Sequence, residues 1–132
     1  MAKVEVSKGL ENFLNYVRMM TELHRMAEAN RAEAEAETQD LLHALELGDY
    51  RAKEQARLAR KLREVRRARR ESKDIGIQTA PVAAWAEQNS GAIKSLERLL
   101  GEVRKAERRG ENRSYTPRTK VLEEVVGKEA GG

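Results

Sequence analysis

The chain has no cysteine, which excludes disulfides, thiolate metal sites and cysteine nucleophiles and fits a reducing compartment. Aromatic residues are scarce, with one Trp, one Phe and three Tyr. A core must therefore be assembled from Leu, Val, Ala and Met, which suit helix seams better than sheets. Proline occurs twice, and before residue 74 the only glycines are Gly9 and Gly48. No apolar stretch approaches the roughly 18 residues needed to span a bilayer, and MAKVEVSKGLENF lacks the apolar run of a signal peptide. These absences predict a cytoplasmic protein with no membrane partner.

Catalytic signatures are missing too. The HExxH, GxSxG and P-loop patterns do not occur. His24 and His43 sit on one predicted helix, roughly 28 Å apart at 1.5 Å per residue, too far to share a metal ion. His43 reads as a helix-end or packing residue and His24 as a partly buried seam residue. Glu28, Glu33, Glu35 and Glu37 wind around the helix instead of converging on a cleft. The expectation is a non-enzyme with no cofactor, metal or small-molecule substrate.

What the chain has is charge and helix-forming residues. Of 132 residues, 36% are charged and 39% hydrophobic, and Ala, Glu, Arg and Leu dominate up to residue 73, the composition of long helices or coiled coils. The net charge of +4 hides a segregation: residues 1–50 hold five Lys/Arg against ten Asp/Glu, residues 51–73 eleven against three, and residues 74–132 ten against nine.

Periodicity predicts an all-α fold: an antiparallel helical hairpin or coiled-coil-like bundle of about three helices, spanning 1–110 as one elongated domain. The first helix, about 7–47, starts with Ser7 as N-cap and aligns Leu10, Phe13, Val17, Met20, Ala27, Ala34, Thr38, Leu41 and Leu45 on one face, interrupted by His24 and Arg31. Tyr16, Leu23 and Asn30 widen that stripe. Gly48 is expected in the left-handed conformation that ends a helix, with Asp49 capping the next. The second helix, about 50–73, turns Ala52, Ala56, Ala59, Leu62 and Val65 toward a partner, with Leu58 beside them. DIGIQTAP, with Gly76 and Pro81, reads as a connector. A third helix, about 82–109, carries Val82, Trp85, Ala86, Ile93, Leu96, Leu100 and Val103 on one side, with Trp85 as a core anchor and a possible division at Asn89-Ser90-Gly91. Residues 111–132 read as an extended or disordered basic arm and tail, in which Val121 to Val126 has the makings of one helical turn.

The informative constellation is RLARKLREVRRARRESK, residues 57–73. Arg60, Arg63, Arg66, Arg67, Arg69, Arg70 and Lys73 cover more than half the helix circumference, more than acidic groups on one facing helix can pair. Planar, permanently charged guanidinium groups suit bidentate contact to phosphate, and phosphate neutralisation supplies most sequence-independent affinity for nucleic acid. The competing reading is a solvated coiled-coil face. Without interleaved aromatics the cluster favours duplex DNA or structured RNA over stacking on single strands. A second basic zone, Arg104, Lys105, Arg108, Arg109, Arg113 and Arg118 around Tyr115, reads either as an arm following a phosphate backbone or as a solubilising tail.

The segments ETQDLLHALELGDY, ARLARKLREVRRARRESKD and LLGEVRKAERRGENRSYTPR resemble a group of small, largely uncharacterised helical proteins of phages and prophages of Gram-positive bacteria. The resemblance spans roughly residues 37–118 and departs at DIGIQTAPVAAW, where that group is more continuously helical and apolar. It implies a phage accessory protein that acts by binding. Three expectations follow: a nucleic-acid or nucleoprotein binder using the Arg-rich helix, with Arg66, Arg67 and Arg70 as its outward set; a protein-directed, anti-CRISPR-like inhibitor of a host nuclease; or a structural coiled-coil homo-oligomer.

Overall fold

Long runs of Ala, Glu, Arg and Leu lose little conformational freedom in a helix, and the computed structural model is helical nearly throughout. It describes residues 5–111 and 116–126, and no strand occurs among them. Three long helices, α1 (Val6–Leu47), α2 (Ala52–Gln88) and α3 (Ser90–Glu111), are followed by the single turn α4 (Val121–Val125). Helix α1 starts after Glu5 with no side-chain cap. Ser7, the expected cap, instead donates its hydroxyl to Glu107 Oε2 at 3.0 Å and ties α1 to α3.

Gly48 closes α1 with extended backbone, φ −82° and ψ 147°, and not the left-handed conformation expected of it. The reason for glycine here is space: a Cβ would run into the Tyr50 ring and sit 2.5 Å from the Ala44 carbonyl oxygen. Asp49 is not the cap of α2 either. That helix begins at Ala52, behind Arg51.

Helices α1 and α2 form the antiparallel hairpin. Phe13 meets Trp85, His24 meets Thr79 and Glu35 meets Arg69, so partners descend along α2 as they ascend along α1. The buried seam is narrow: Leu14, Val17, Ala27 and Ala34 come from α1, with Leu62, Val65, Gly76 and Thr79 from α2, so half of it is Gly, Ala or Thr. Leu14, absent from the expected stripe, is the most enclosed side chain at 1% exposure, between the helices at the point where Leu100 of α3 also arrives. Conversely, Ala52, Ala56 and Ala59 are exposed, so the first two turns of α2 contribute little to the seam.

The connector expected at 74–81 does not exist, and α2 runs through it to Gln88. Two features explain why. Gly76 and Thr79 lie buried in the seam, where His24 Nδ1 lies 3.1 Å from both the Gly76 carbonyl oxygen and Thr79 Oγ1. Thr79 spends its own hydroxyl proton on the Ile75 carbonyl at 2.7 Å. Nδ1 must therefore be the donor to both, a role that neutral and protonated imidazole can each fill. The knot fixes the helical register from Ile75 to Thr79. Pro81, by contrast, is exposed. It deprives the Ile77 carbonyl of its helical donor, but Ile77 is 62% exposed, and water can serve that oxygen.

The break falls at Asn89, within the Asn89-Ser90-Gly91 division read from the sequence, and Asn89 rather than Ser90 stands between the two helices. Its backbone N–H and its side-chain Nδ2 both donate to the Trp85 carbonyl, each at 2.9 Å, closing α2, while its own carbonyl accepts from Ile93 to open α3. Helix α3 then lies along the first half of α1, with Ser7, Glu11 and Arg18 reaching Glu107, Arg104 and Glu97. The pairing is again antiparallel but in a new register, since Arg18 meets Glu97 although the earlier residue Phe13 meets Trp85. Trp85 is an edge contact, not a core anchor: it is 40% exposed and stands at 79° to Phe13 with centroids 6.3 Å apart.

Candidate nucleic-acid interface

An α-helix turns about 100° per residue, so with Leu62 and Val65 in the seam the remaining positions of 57–73 must face the grooves or solvent. Arg60, Arg63, Arg66, Arg67, Arg69, Arg70 and Lys73 are all exposed. They form two adjoining rows. Arg60, Arg63 and Arg67 run along the outer face at i, i+3, i+7 spacing. Arg66, Arg69, Arg70 and Lys73 line a cleft of about 720 Å³ between α2 and α1, whose opposite wall is Glu35, Ala36, Thr38 and Gln39.

Electrostatically this cleft is one-sided. Glu35 is its only carboxylate, and it accepts from Arg69 Nε at 3.3 Å. Among the described residues no other carboxylate lies within ion-pair distance of the four cations of the cleft. Thr38 turns its hydroxyl back to the Ala34 carbonyl at 2.7 Å, so it offers an acceptor and no proton to the cleft. Three cations thus remain unneutralised at its rim, surrounded by the outer row.

The other side of the same hairpin has the opposite character. A groove of about 550 Å³ there is lined by Glu33, Glu37, Glu64 and Glu71 with Lys61, and Lys61 lies 3.7 Å from Glu64. One basic and one acidic groove therefore flank a single seam. The basic side was legible from the sequence, but the acidic side and the part of Glu35 were not. Both depend on the pairing register of α1 against α2, which the Ala-rich stretch of α1 leaves undetermined.

Of the expected outward set, Arg66 and Arg70 border the cleft, and Arg67 belongs to the outer row. The α3 part of the second basic zone is not brought to this place. Arg104 pairs with Glu11 at 3.3 Å, whereas Arg69 pairs with Glu35, which puts the two zones about 36 Å apart along α1. Lys105, Arg108 and Arg109 are exposed on the last turns of α3, where cations complement the carboxyl end of the helix dipole. Arg118 is exposed just before α4. Arg113 and Tyr115 lie outside the described residues.

Among the described residues no group of His, Asp and Glu is placed to hold a metal ion, and no helix is long and apolar enough to cross a membrane. His43 is exposed, and His24 is held in the seam. In the exposed pair Glu22 and Arg25 on α1, the hydrogen bond between them lowers the pKa of the carboxyl and raises that of the guanidinium. Neither residue belongs to the cleft. No family model, curated protein or solved structure matches the chain.

Proposed function

We propose that the protein is a non-catalytic, phage-type accessory protein that binds the phosphate backbone of duplex DNA or structured RNA through the basic side of α2. One observation carries the reading: Arg66, Arg69, Arg70 and Lys73 share a cleft with a single carboxylate, Glu35, and adjoin the exposed row Arg60, Arg63 and Arg67. Cations in such excess raise the local field and invite a polyanion, whose binding releases counterions. The open, elongated cleft suits a backbone better than a small molecule. With no aromatic residue in the band, the affinity rests on phosphate and not on base stacking.

Titration with labelled duplex DNA and structured RNA at several salt concentrations tests this. Micromolar or tighter binding at low salt, weakening steeply as salt rises, is the expected result. The variant carrying Arg66→Glu, Arg67→Glu and Arg70→Glu should lose on the order of 100-fold or more in affinity while keeping its helical circular dichroism, because all three side chains are solvent-facing. Absence of binding at low salt sinks the proposal. If a host nuclease is instead retained from nuclease-treated lysate, the same basic band serves an anti-CRISPR-like inhibitor that occupies an acidic or nucleic-acid-facing surface.

A further inference from the structure

The half of α1 remote from the basic cleft carries an unpartnered apolar row. Tyr16, Met19, Leu23 and Met26 follow i, i+3, i+7, i+10 spacing, and with Phe13 and Trp85 beside them all six are 37–58% exposed. Helix α3 does not cover them. It meets α1 through Ser7, Glu11, Leu14, Asn15 and Arg18, on another face.

We propose that this row is the interface of an antiparallel homodimer, in which α1 of one copy lies against α1 of a second. Three observations select a second copy as the occupant. The first is symmetry. The row is bounded by Asn12 and Asn30, both exposed, and the steps from Asn12 through Tyr16, Met19, Leu23 and Met26 to Asn30 read the same in either direction. A two-fold axis level with residue 21 therefore sets Asn12 opposite Asn30, Tyr16 opposite Met26 and Met19 opposite Leu23. Polar Asn at core positions of a coiled coil fixes register, and here it would stop the two helices from sliding.

The second observation is charge. Between residues 12 and 30 the charged side chains are Arg18, Glu22, Arg25 and Glu28, two of each sign. Arg18 is already paired with Glu97 and Arg25 with Glu22. A surface with no net charge meets its own copy without repulsion, and the antiparallel arrangement carries the two arginine bands to opposite ends. The third is area. Six side chains of this size at these exposures present on the order of 600 Å² per copy, the upper end of what a monomer shows as one patch and close to the roughly 800 Å² per partner of a stable interface.

The dimer does not depend on the nucleic-acid reading, and its test uses no nucleic acid. Sedimentation equilibrium of the full chain should show the mass rising from 15.0 kDa toward twice that value over the micromolar range. Leu23→Glu, at an exposed position, should leave a monomer at every concentration with unchanged helicity. Because the chain has no cysteine, single thiols report orientation cleanly: Asn12→Cys mixed with Asn30→Cys should form the mixed disulfide far faster than either forms its own. A strictly monomeric wild type, a Leu23→Glu variant that dimerises as the wild type does, or preferential self-linking of Asn12→Cys each overturns the proposal.

Discussion

The two ends of the hairpin are built from the same pair of helices on different principles. Near the Gly48 turn the seam consists of Ala34, Leu62 and Val65 between charged walls, one basic and one acidic. At the far end Leu14 and Val17 are buried, α3 joins the pair at Leu100, and large apolar side chains spill onto the surface. At the turn end two helices alone enclose Leu62 and Val65, with Ala34 adding one methyl, whereas at the far end a third helix closes over Leu14 with Leu100; at roughly 25 cal/mol per Å² of apolar surface, the far end has the larger core. The arginine-lined end and the three-helix core are thus separated along the hairpin.

Breaking the supported half should have the largest effect. Leu14→Ala leaves a cavity where α1, α2 and α3 converge, and should cost about 2–5 kcal/mol by urea denaturation. If the comparison holds, Leu62→Ala, a side chain enclosed by two helices only, costs less than Leu14→Ala. Equal losses at the two ends would mean that the hairpin is uniformly held.

The second prediction lies between the ends. Pro81→Ala restores the donor that the Ile77 carbonyl lacks, at an exposed position inside α2. Relief of the proline penalty should stabilise the protein by up to about 3 kcal/mol, reduced by the greater freedom of the unfolded chain. The midpoint of thermal unfolding should rise. A fall would show that the proline shapes α2 toward α1 and α3 and is more than a tolerated defect.

Pro81 also marks what could be read from residues alone. The all-α hairpin, the turn at Gly48 and the arginine band are local matters of composition and period, and they appear in the structure. Gly76 and Pro81 are local signals as well, but tertiary packing overrules them: His24, fifty-two residues earlier, holds Gly76 and Thr79 in the seam. Ser7 likewise leaves its capping role for Glu107. In the candidate site the cations were legible because they need only one helix. The lone carboxylate opposing them was not, because Glu35 is one of seven glutamates spaced around α1, and only the register of pairing singles it out.

Glu35 supplies the smallest and most discriminating change. It is the one carboxylate in the basic cleft, and its pair with Arg69 is half exposed on both sides, at 49% and 46%. Such a pair contributes about 0.2–1 kcal/mol, so Glu35→Gln should alter the unfolding free energy by less than about 1 kcal/mol. Its effect on a bound polyanion runs the other way, because the substitution removes a repulsive charge and releases Arg69 to phosphate. Affinity for duplex DNA or structured RNA should rise a few-fold at low salt, and the dependence of log K on log salt should steepen by up to about one. The gain should vanish when Arg69→Ala is added, since the released guanidinium is then absent. If Glu35→Gln changes stability but leaves affinity and salt slope untouched, the cleft is a solvated groove, and the charge excess at the turn end must be explained by the outer row of Arg60, Arg63 and Arg67 alone.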